Sequence, residues 1–423
     1  MYSGLSHLEC SRCATRHDAS IPQNLCGCGS PLLARYDLDA VREAVTPDVI
    51  AGRPPTMWRY HELLPVGGAD AVVTLGEPMT PLLPLPSLGA DLGVPGLLLK
   101  DEAALPTGSF KARGAAVGVS RAAELGVEAI GMPTNGNAGS AWSAYAARAG
   151  LRCLVVMPLG APEITRAECL LAGAELYLVD GLISDAGRIA RSAVESRGWF
   201  EAATLREPYR VEGKKTMALE IVEQLGWRLP DVIVYPTGGG VGLIGIAKAL
   251  AELRAIGWVD GPGPGPRLVA VQSTGCAPIV RAFDAGADTA QAWAGGHTVA
   301  FGLTVPSTLG DRMILDDLRA SGGTALAVDD EVLLAEQAGC LRAEGVLVCP
   351  EGAAALAAVR ALRRDGWLRG DEEVVVLNTG SGLKYQNTLL PVDVPVLPIG
   401  GAPPPAGNGA PRRSSGRHKA RRH

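Results

Sequence analysis

The stretch Val232-Ile233-Val234-Tyr235-Pro236-Thr237-Gly238-Gly239-Gly240-Val241-Gly242 passes directly from an apolar run into a cluster of glycines. Leu243 to Ile256 then continues as a helical run. Consecutive bulky apolar residues that end in a turn read as a strand buried on both faces. Strand, glycine turn and helix in succession are the building unit of an α/β sheet. The turn is either a phosphate cradle or a plain tight turn. As a cradle, it lets backbone N–H groups approach an anion at the positive end of the helix. It is not the dinucleotide pattern Gly-x-Gly-x-x-Gly, and it lacks the Lys-Ser/Thr of a nucleotide P-loop.

Three further segments follow the same logic. The strand-like Gly96 to Lys100 leads to Pro106-Thr107-Gly108-Ser109-Phe110-Lys111-Ala112-Arg113-Gly114. This puts Lys111 just inside a helix start, where desolvation and the helix N-terminus lower an amine's pKa and suit it to Schiff-base chemistry. Read alone, a solvated first-turn lysine is by far the commoner reading. The run Ala129 to Met132 leads to Thr134-Asn135-Gly136-Asn137-Ala138-Gly139 and a helix over Ser140 to Ala149. Asparagine amides there suit a phenolic oxygen, and exposed N–H groups suit a carboxylate. An N-capping loop is the plainer reading, although it explains only one of the asparagines. Finally, Val374 to Leu377 leads to Asn378-Thr379-Gly380-Ser381-Gly382-Leu383-Lys384. Hydroxyls then stand at a strand's C-terminal end, where ligands sit in open α/β sheets.

In this order and spacing, the four motifs resemble those of the pyridoxal-phosphate enzymes of the tryptophan-synthase-β fold (fold type II), and most of all the threonine synthase branch. The resemblance runs over about residues 55 to 390. It includes Leu75-Gly76-Glu77-Pro78-Met79-Thr80-Pro81-Leu82, Glu212-Gly213-Lys214-Lys215-Thr216 and Pro350-Glu351-Gly352-Ala353-Ala354. It implies that Lys111 anchors the cofactor covalently and shuttles the α-proton. It further implies that Asn137 bonds the cofactor's 3′-oxygen, that Gly238, Gly239, Gly240, Val241 and Gly242 hold its phosphate, and that Thr379 faces the pyridine nitrogen. Thr134, Asn135 and Gly136 would receive the substrate carboxylate, with Arg113 nearby as support. Arg210, Arg166 and Lys214 or Lys215 are candidates for the phosphate of a phosphorylated substrate.

The implied reaction converts O-phosphohomoserine, or a close analogue, to threonine and phosphate by γ-elimination and addition of water at Cβ. Two departures favour an alternative. The branch usually has aspartate where this chain has Ala112, and an Asn-Ser pair where it has Thr204-Leu205. A leucine donates nothing to a phosphate. The alternative is a serine/threonine dehydratase, or a β-replacement enzyme acting on a hydroxy- or acyloxy-amino acid. A cofactor-binding regulator without catalysis is the third reading, and the presence of Lys111 argues against it.

The expected architecture is α/β, with two open domains of mainly parallel strands behind a small zinc-ribbon-like segment. Residues 1–35 form that segment, residues 36–111 an arm and the first part of the large domain, residues 112–205 an inserted small domain, and residues 206–390 the large cofactor domain. Residues 391–423 read as a disordered Pro/Gly and then Arg-rich tail. Arg152 to Met157, Glu175 to Val179 and Arg267 to Gln272 are further expected buried parallel strands. Ser184 to Arg197, Thr216 to Leu225 and Glu331 to Ala343 are expected helices. Gly261 to Pro266 is expected to be a loop.

The pairs Cys10/Cys13 and Cys26/Cys28 lie on small turns, as a tetrahedral four-cysteine zinc site requires, although the second pair is one residue shorter than usual. Disulfides are the alternative. They are disfavoured because no secretory signal precedes the cysteines and the enzyme class is intracellular. The remaining five cysteines fall in apolar segments and read as small buried hydrophobes.

Hydrophobic content of 47% supports a large core, and aromatic content of only 4% makes that core aliphatic. The formal charge of −5 hides a basic tail of six cations, which leaves 33 basic against 44 acidic groups in residues 1–393. The expected enzyme is cytoplasmic and acts on a small amino acid. A homodimer is expected by analogy, with no membrane span and no nucleic-acid partner.

Overall fold

The computed structural model describes residues 1–259, 265–389, 394 and 396–400. Among these residues the strands form three sheets. The largest runs, in spatial order, Thr324–Val328, Arg267–Ser273, Val232–Pro236, Glu373–Asn378, Gly96–Asp101 and Leu82–Pro84. Its strands are parallel, except that Leu82–Pro84 runs antiparallel at one edge. Val232, Ile233 and Val234 are fully buried, as are Val374, Val375 and Val376 beside them in register. Runs this uniformly apolar fit a sheet covered on both faces, where no strand needs a polar side.

A second, all-parallel sheet has the order Glu175–Val179, Arg152–Pro158, Ala129–Pro133, Phe200–Glu201. The expected α/β architecture with mainly parallel sheets is therefore present. One strand differs from expectation. Glu175–Val179 is half-exposed rather than buried, because it closes the edge of this sheet and pairs on one side only.

Helix Arg210–Gln224 also begins well before the expected Thr216. Its first turns carry Arg210, Glu212, Lys214 and Lys215, charges that look solvated in the sequence but are all buried. Strand Thr324–Val328 and helix Pro350–Arg364 were not anticipated as elements. The expected Gly/Pro loop and basic tail fall largely outside the described residues.

Two buried ionic clusters lock these elements together. Arg113 donates from Nε to Glu102 at 2.6 Å and from Nη1 to Glu220 at 2.5 Å. Lys100 Nζ reaches Glu220 at 2.7 Å, and Thr216 Oγ1 accepts from Arg113 at 2.8 Å. Burial pushes the Glu220 carboxyl up, but Arg113 and Lys100 outweigh it and bring it down to about 2. In the second cluster, Lys215 lies 2.8 Å from Glu212 and 2.7 Å from Glu252, and Lys248 lies 3.0 Å from Glu212. The Tyr36 hydroxyl donates to Glu212 at 2.9 Å, which ties the N-terminal ribbon to helix Arg210–Gln224.

The ribbon is a three-stranded antiparallel sheet in the order Arg16–His17, Leu5–Cys10, Leu32–Tyr36. All four Sγ atoms of Cys10, Cys13, Cys26 and Cys28 lie within 4.8 Å of one another. Cys10 and Cys28 are 3.5 Å apart, while Cys13 is 3.7 Å from both Cys26 and Cys28. A tetrahedron with Zn–S bonds of about 2.3 Å has edges of about 3.8 Å, so these residues fit a structural zinc ion. The shortened second pair is accommodated by a tight turn in which Gly29 N donates to Cys26 O at 2.8 Å.

Two outcomes follow from this arrangement. Cys10→Ser is expected to lower both bound zinc, measured by elemental analysis, and the thermal midpoint. Arg113→Met leaves two buried carboxylates facing one lysine. It is expected to cost about 3–5 kcal/mol, read from the denaturant midpoint.

Candidate active site

The loops at the C-terminal ends of the parallel strands converge on one cavity of about 430 Å³. It is lined by Phe110 and Lys111, by Thr134 to Asn137, by Gly238 to Gly242, and by Thr379. Parallel strands bring their following loops to one edge, so four motifs far apart in the chain meet there.

Lys111 is the first residue of helix Lys111–Glu124. The backbone just before it is stitched to the Thr379 segment: Phe110 N donates to Thr379 O at 3.0 Å, and Ser381 N to Gly108 O at 2.8 Å. The Lys111 amine sits 3.9 Å from the centroid of the Phe110 ring. Burial pushes it down to about 8, with Arg210 adding to the effect and Glu351 opposing it. Lys214 reaches the same ring, at 4.2 Å, and donates to Phe110 O. Burial, Lys111 and Arg210 together push its amine well below the usual lysine range. Lys100, Lys215, Lys248 and Lys384 each have a carboxylate partner. Among the described residues, Lys111 and Lys214 are in no salt bridge, and both face the cavity.

The glycine loop behaves as a cradle. Gly240 has φ +75° and caps helix Val241–Ala255 without any side-chain cap. The first N–H groups of the helix therefore have no partner within it and are free for a ligand. A Cβ at Gly240 would fall 2.0 Å from Ile314 Cδ1. Thr308 Oγ1 donates to Gly239 O at 2.9 Å and holds the loop from the far side. Across the cavity, Gly136 has φ +147° and precedes helix Asn137–Ala149. That conformation favours glycine.

Two buried polar atoms of the cavity lining lack a partner, Asn137 Oδ1 and Glu351 Oε2. A buried group left unpaired costs about 1–3 kcal/mol, so such a cluster marks where a ligand completes the bonding. Asn137 Nδ2 meets the Tyr385 hydroxyl at 3.3 Å, and Thr379 Oγ1 lies 3.6 Å from Cys349 Sγ. An amine, an anion cradle, an amide with an unpaired oxygen and a threonine hydroxyl in one cavity fit pyridoxal phosphate.

The residues expected at the substrate side separate in space. Thr134, Asn135, Gly136 and Arg210 line the cavity, but Arg166 does not. The Arg166 guanidinium instead donates to the carbonyls of Ala161 (at 2.8 Å) and Leu159, serving its own helix start. Arg113 also turns away, into the buried cluster. The Thr134 hydroxyl accepts from Gly136 N at 3.0 Å and Gly139 N at 3.2 Å, so it caps the helix. Asn135 Nδ2 donates to Thr304 O at 2.8 Å.

Sequence reading missed Glu351, Tyr385 and Phe301, which line the cavity with Phe301 and Tyr385 stacked at 4.6 Å. Glu351 lies inside the quoted segment Pro350 to Ala354 and Tyr385 directly follows Lys384, whereas Phe301 lies near no quoted motif.

A family model described as pyridoxal-phosphate dependent enzyme matches residues 73–380. The threonine synthase of Methanocaldococcus jannaschii is 34% identical over 377 residues, covering 89% of this chain and 92% of that protein. The threonine synthase of Mycobacterium tuberculosis is 33% identical, covering 82% and 93%. Among solved structures, maize serine racemase superposes with a TM-score of 0.63 at 23% identity, covering 73% of this chain and 91% of its own. The fungal L-serine ammonia-lyase of Rhizomucor miehei does so with a TM-score of 0.62 at 24% identity, covering 74% and 98%. The chain belongs to the pyridoxal-phosphate dependent enzyme family, as a threonine synthase-like carbon–oxygen lyase.

Proposed function

We propose that this enzyme converts O-phosphohomoserine, or a close analogue, to threonine and inorganic phosphate. The observation that carries this reading is Lys214, a second amine without a carboxylate partner beside Lys111, in a cavity also lined by Arg210. A substrate that brings a phosphate dianion supplies the missing negative charge, and hydrogen bonds to charged groups are the strong ones. The relatives named threonine synthase support the same choice.

Bound pyridoxal phosphate supplies an electron sink at the substrate's α-carbon. Lys111 holds the cofactor and moves the α-proton. Its depressed pKa leaves a useful fraction of free amine near neutral pH. Asn137 bonds the ring hydroxyl oxygen, and the N–H groups of Gly238, Gly239, Gly240, Val241 and Gly242 take the phosphate. Thr379 offers the ring nitrogen a hydroxyl, which does not enforce its protonation as a carboxylate would. The sink is then weaker, which suits elimination and replacement better than transamination. The Thr134 hydroxyl proton and the Asn135 backbone N–H, at the turn closed by Gly136, receive the substrate carboxylate, while Lys214 and Arg210 take its phosphate. Closure of residues 112–205 toward the cofactor domain would exclude water during the reaction.

A second reading rests on Arg210 itself. Its Nε lies 2.5 Å from Glu207, so its charge is already answered, and Leu205 nearby in the chain offers no donor. A serine/threonine dehydratase, whose substrate has no phosphate, fits that feature.

Parallel assays with O-phosphohomoserine, serine and threonine separate the two. Phosphate release with threonine as product is expected. Keto acid and ammonia from serine or threonine, without phosphate release, would establish the dehydratase. Lys111→Ala is expected to lose the cofactor's near-visible absorbance and to lower turnover by at least about 10²-fold. Thr379→Ala should retain the cofactor with an altered spectrum and slower turnover. In the apoenzyme, a lowered lysine pKa means that the reactive neutral amine accumulates as pH rises through about 8. The rate of cofactor capture is therefore expected to climb to a plateau with its midpoint there, well below that of an ordinary lysine.

A further inference from the structure

The ribbon and the cavity are joined by one side chain. Asn24 lies in the long loop between the two cysteine pairs, just before Cys26. Its carboxamide donates both hydrogens of Nδ2 to carbonyls of a single segment: Glu201 O at 2.8 Å and Arg206 O at 2.8 Å. That segment is a wall of the cavity, since Glu201, Ala203, Thr204 and Arg206 all line it, and it leads on to Arg210.

The wall is a turn that needs holding. Leu205 has φ +60°. That left-handed conformation costs an ordinary residue about 1–2 kcal/mol. Internally the turn has the bond from Arg206 N to Ala203 O at 3.0 Å, and Ala202 N donates to Gly131 O at 2.9 Å. The Asn24 amide spans it from outside, capping the carbonyls at both of its ends.

The same ribbon loop grips the continuation of the segment. Ala19 O accepts from Arg121 at 2.6 Å and from the Tyr209 hydroxyl at 3.5 Å. Tyr209 immediately precedes helix Arg210–Gln224. The loop carrying Ala19 and Asn24 is itself pinned at each end by cysteines of the Cys10, Cys13, Cys26, Cys28 cluster, which fits zinc. A metal there closes the loop and limits the conformations open to Asn24, as any cross-link limits a loop.

We propose that Asn24 is a positioning residue that couples the four-cysteine metal site to the substrate-side wall at residues 201–206. Metal loading at the ribbon then sets how well the cavity holds its amino-acid substrate. The proposal does not depend on whether that substrate is phosphohomoserine or serine.

The test uses the holoenzyme. Asn24→Asp is nearly isosteric but removes the donor and sets a carboxylate against two carbonyl oxygens, and Asn24→Ala removes the side chain altogether. In both variants, amide hydrogen exchange in residues 201–206 is expected to rise at least about fivefold. KM for the active substrate should rise by a similar factor, while kcat and the cofactor absorbance stay within about twofold. A chelator added to wild-type protein is expected to raise exchange in the same residues, and to add little to Asn24→Asp. Should either variant fail to fold, the chelator experiment on wild-type protein alone carries the test. Exchange in residues 201–206 that ignores both substitution and chelation would overturn the proposal. So would a uniform rise over the whole chain, which would mark a merely structural role. A response to substitution but not to chelation would overturn the coupling to the metal.

Discussion

Arg113, clamped between Glu102 and Glu220 with Lys100 alongside, fixes the position from which the rest of the site is built. It follows Lys111 closely on the same helix and is fully buried. The planar guanidinium can satisfy two carboxylates at once, which a lysine cannot do with comparable geometry. Because its partners come from the segment after strand Gly96–Asp101 and from helix Arg210–Gln224, the clamp sets where the helix that carries Lys111 begins. A buried ion pair contributes modestly to stability, yet removing one partner is costly, so the arrangement specifies geometry more than it adds stability.

Charge is distributed by role. The cations that hold the framework are matched with carboxylates: Arg113, Lys100, Lys215, Lys248 and Lys384. Lys111 and Lys214 are left unmatched at the cavity, where burial lowers the affinity of both for protons, Arg210 adds to each, and Lys111 adds to the effect on Lys214. Unpaired amines in a partly dry cavity are costly to keep charged, so a neutral Lys111 is available for a carbonyl, while an anion placed beside Lys214 favours its protonated form. The same contrast holds for neutral groups. The Thr134 hydroxyl oxygen and the Asn135 amide are engaged with the protein, whereas Asn137 keeps an oxygen free.

Much of this was legible in the chain. Strand Val232–Pro236 and its glycine turn were visible because a doubly covered strand must be apolar throughout and a left-handed cap at Gly240 favours glycine. Strand Glu175–Val179 was recognised as a strand but not as an edge, because its apolar residues look the same whether one side is paired or both. The start of helix Arg210–Gln224 was hidden by Glu212 and Lys215, whose charges suggest solvent until their partners on helix Val241–Ala255 and in the ribbon are known. Arg166 shows the converse: a cation near the right motifs whose donors are consumed by nearby carbonyls.

By itself, the sequence determined the succession of strands, glycine turns and helices, the place of Lys111 at a helix start and the four-cysteine cluster. These depend on backbone demands and spacings that extend over only a few residues. Tertiary structure alone decided which lysine is free, Lys214 rather than its neighbour Lys215, and which arginine is already answered. It also decided that Asn24 reaches a carbonyl 177 residues away. Such outcomes depend on which distant partner occupies the few ångströms around a charge or an amide, and the folded chain alone sets that neighbourhood.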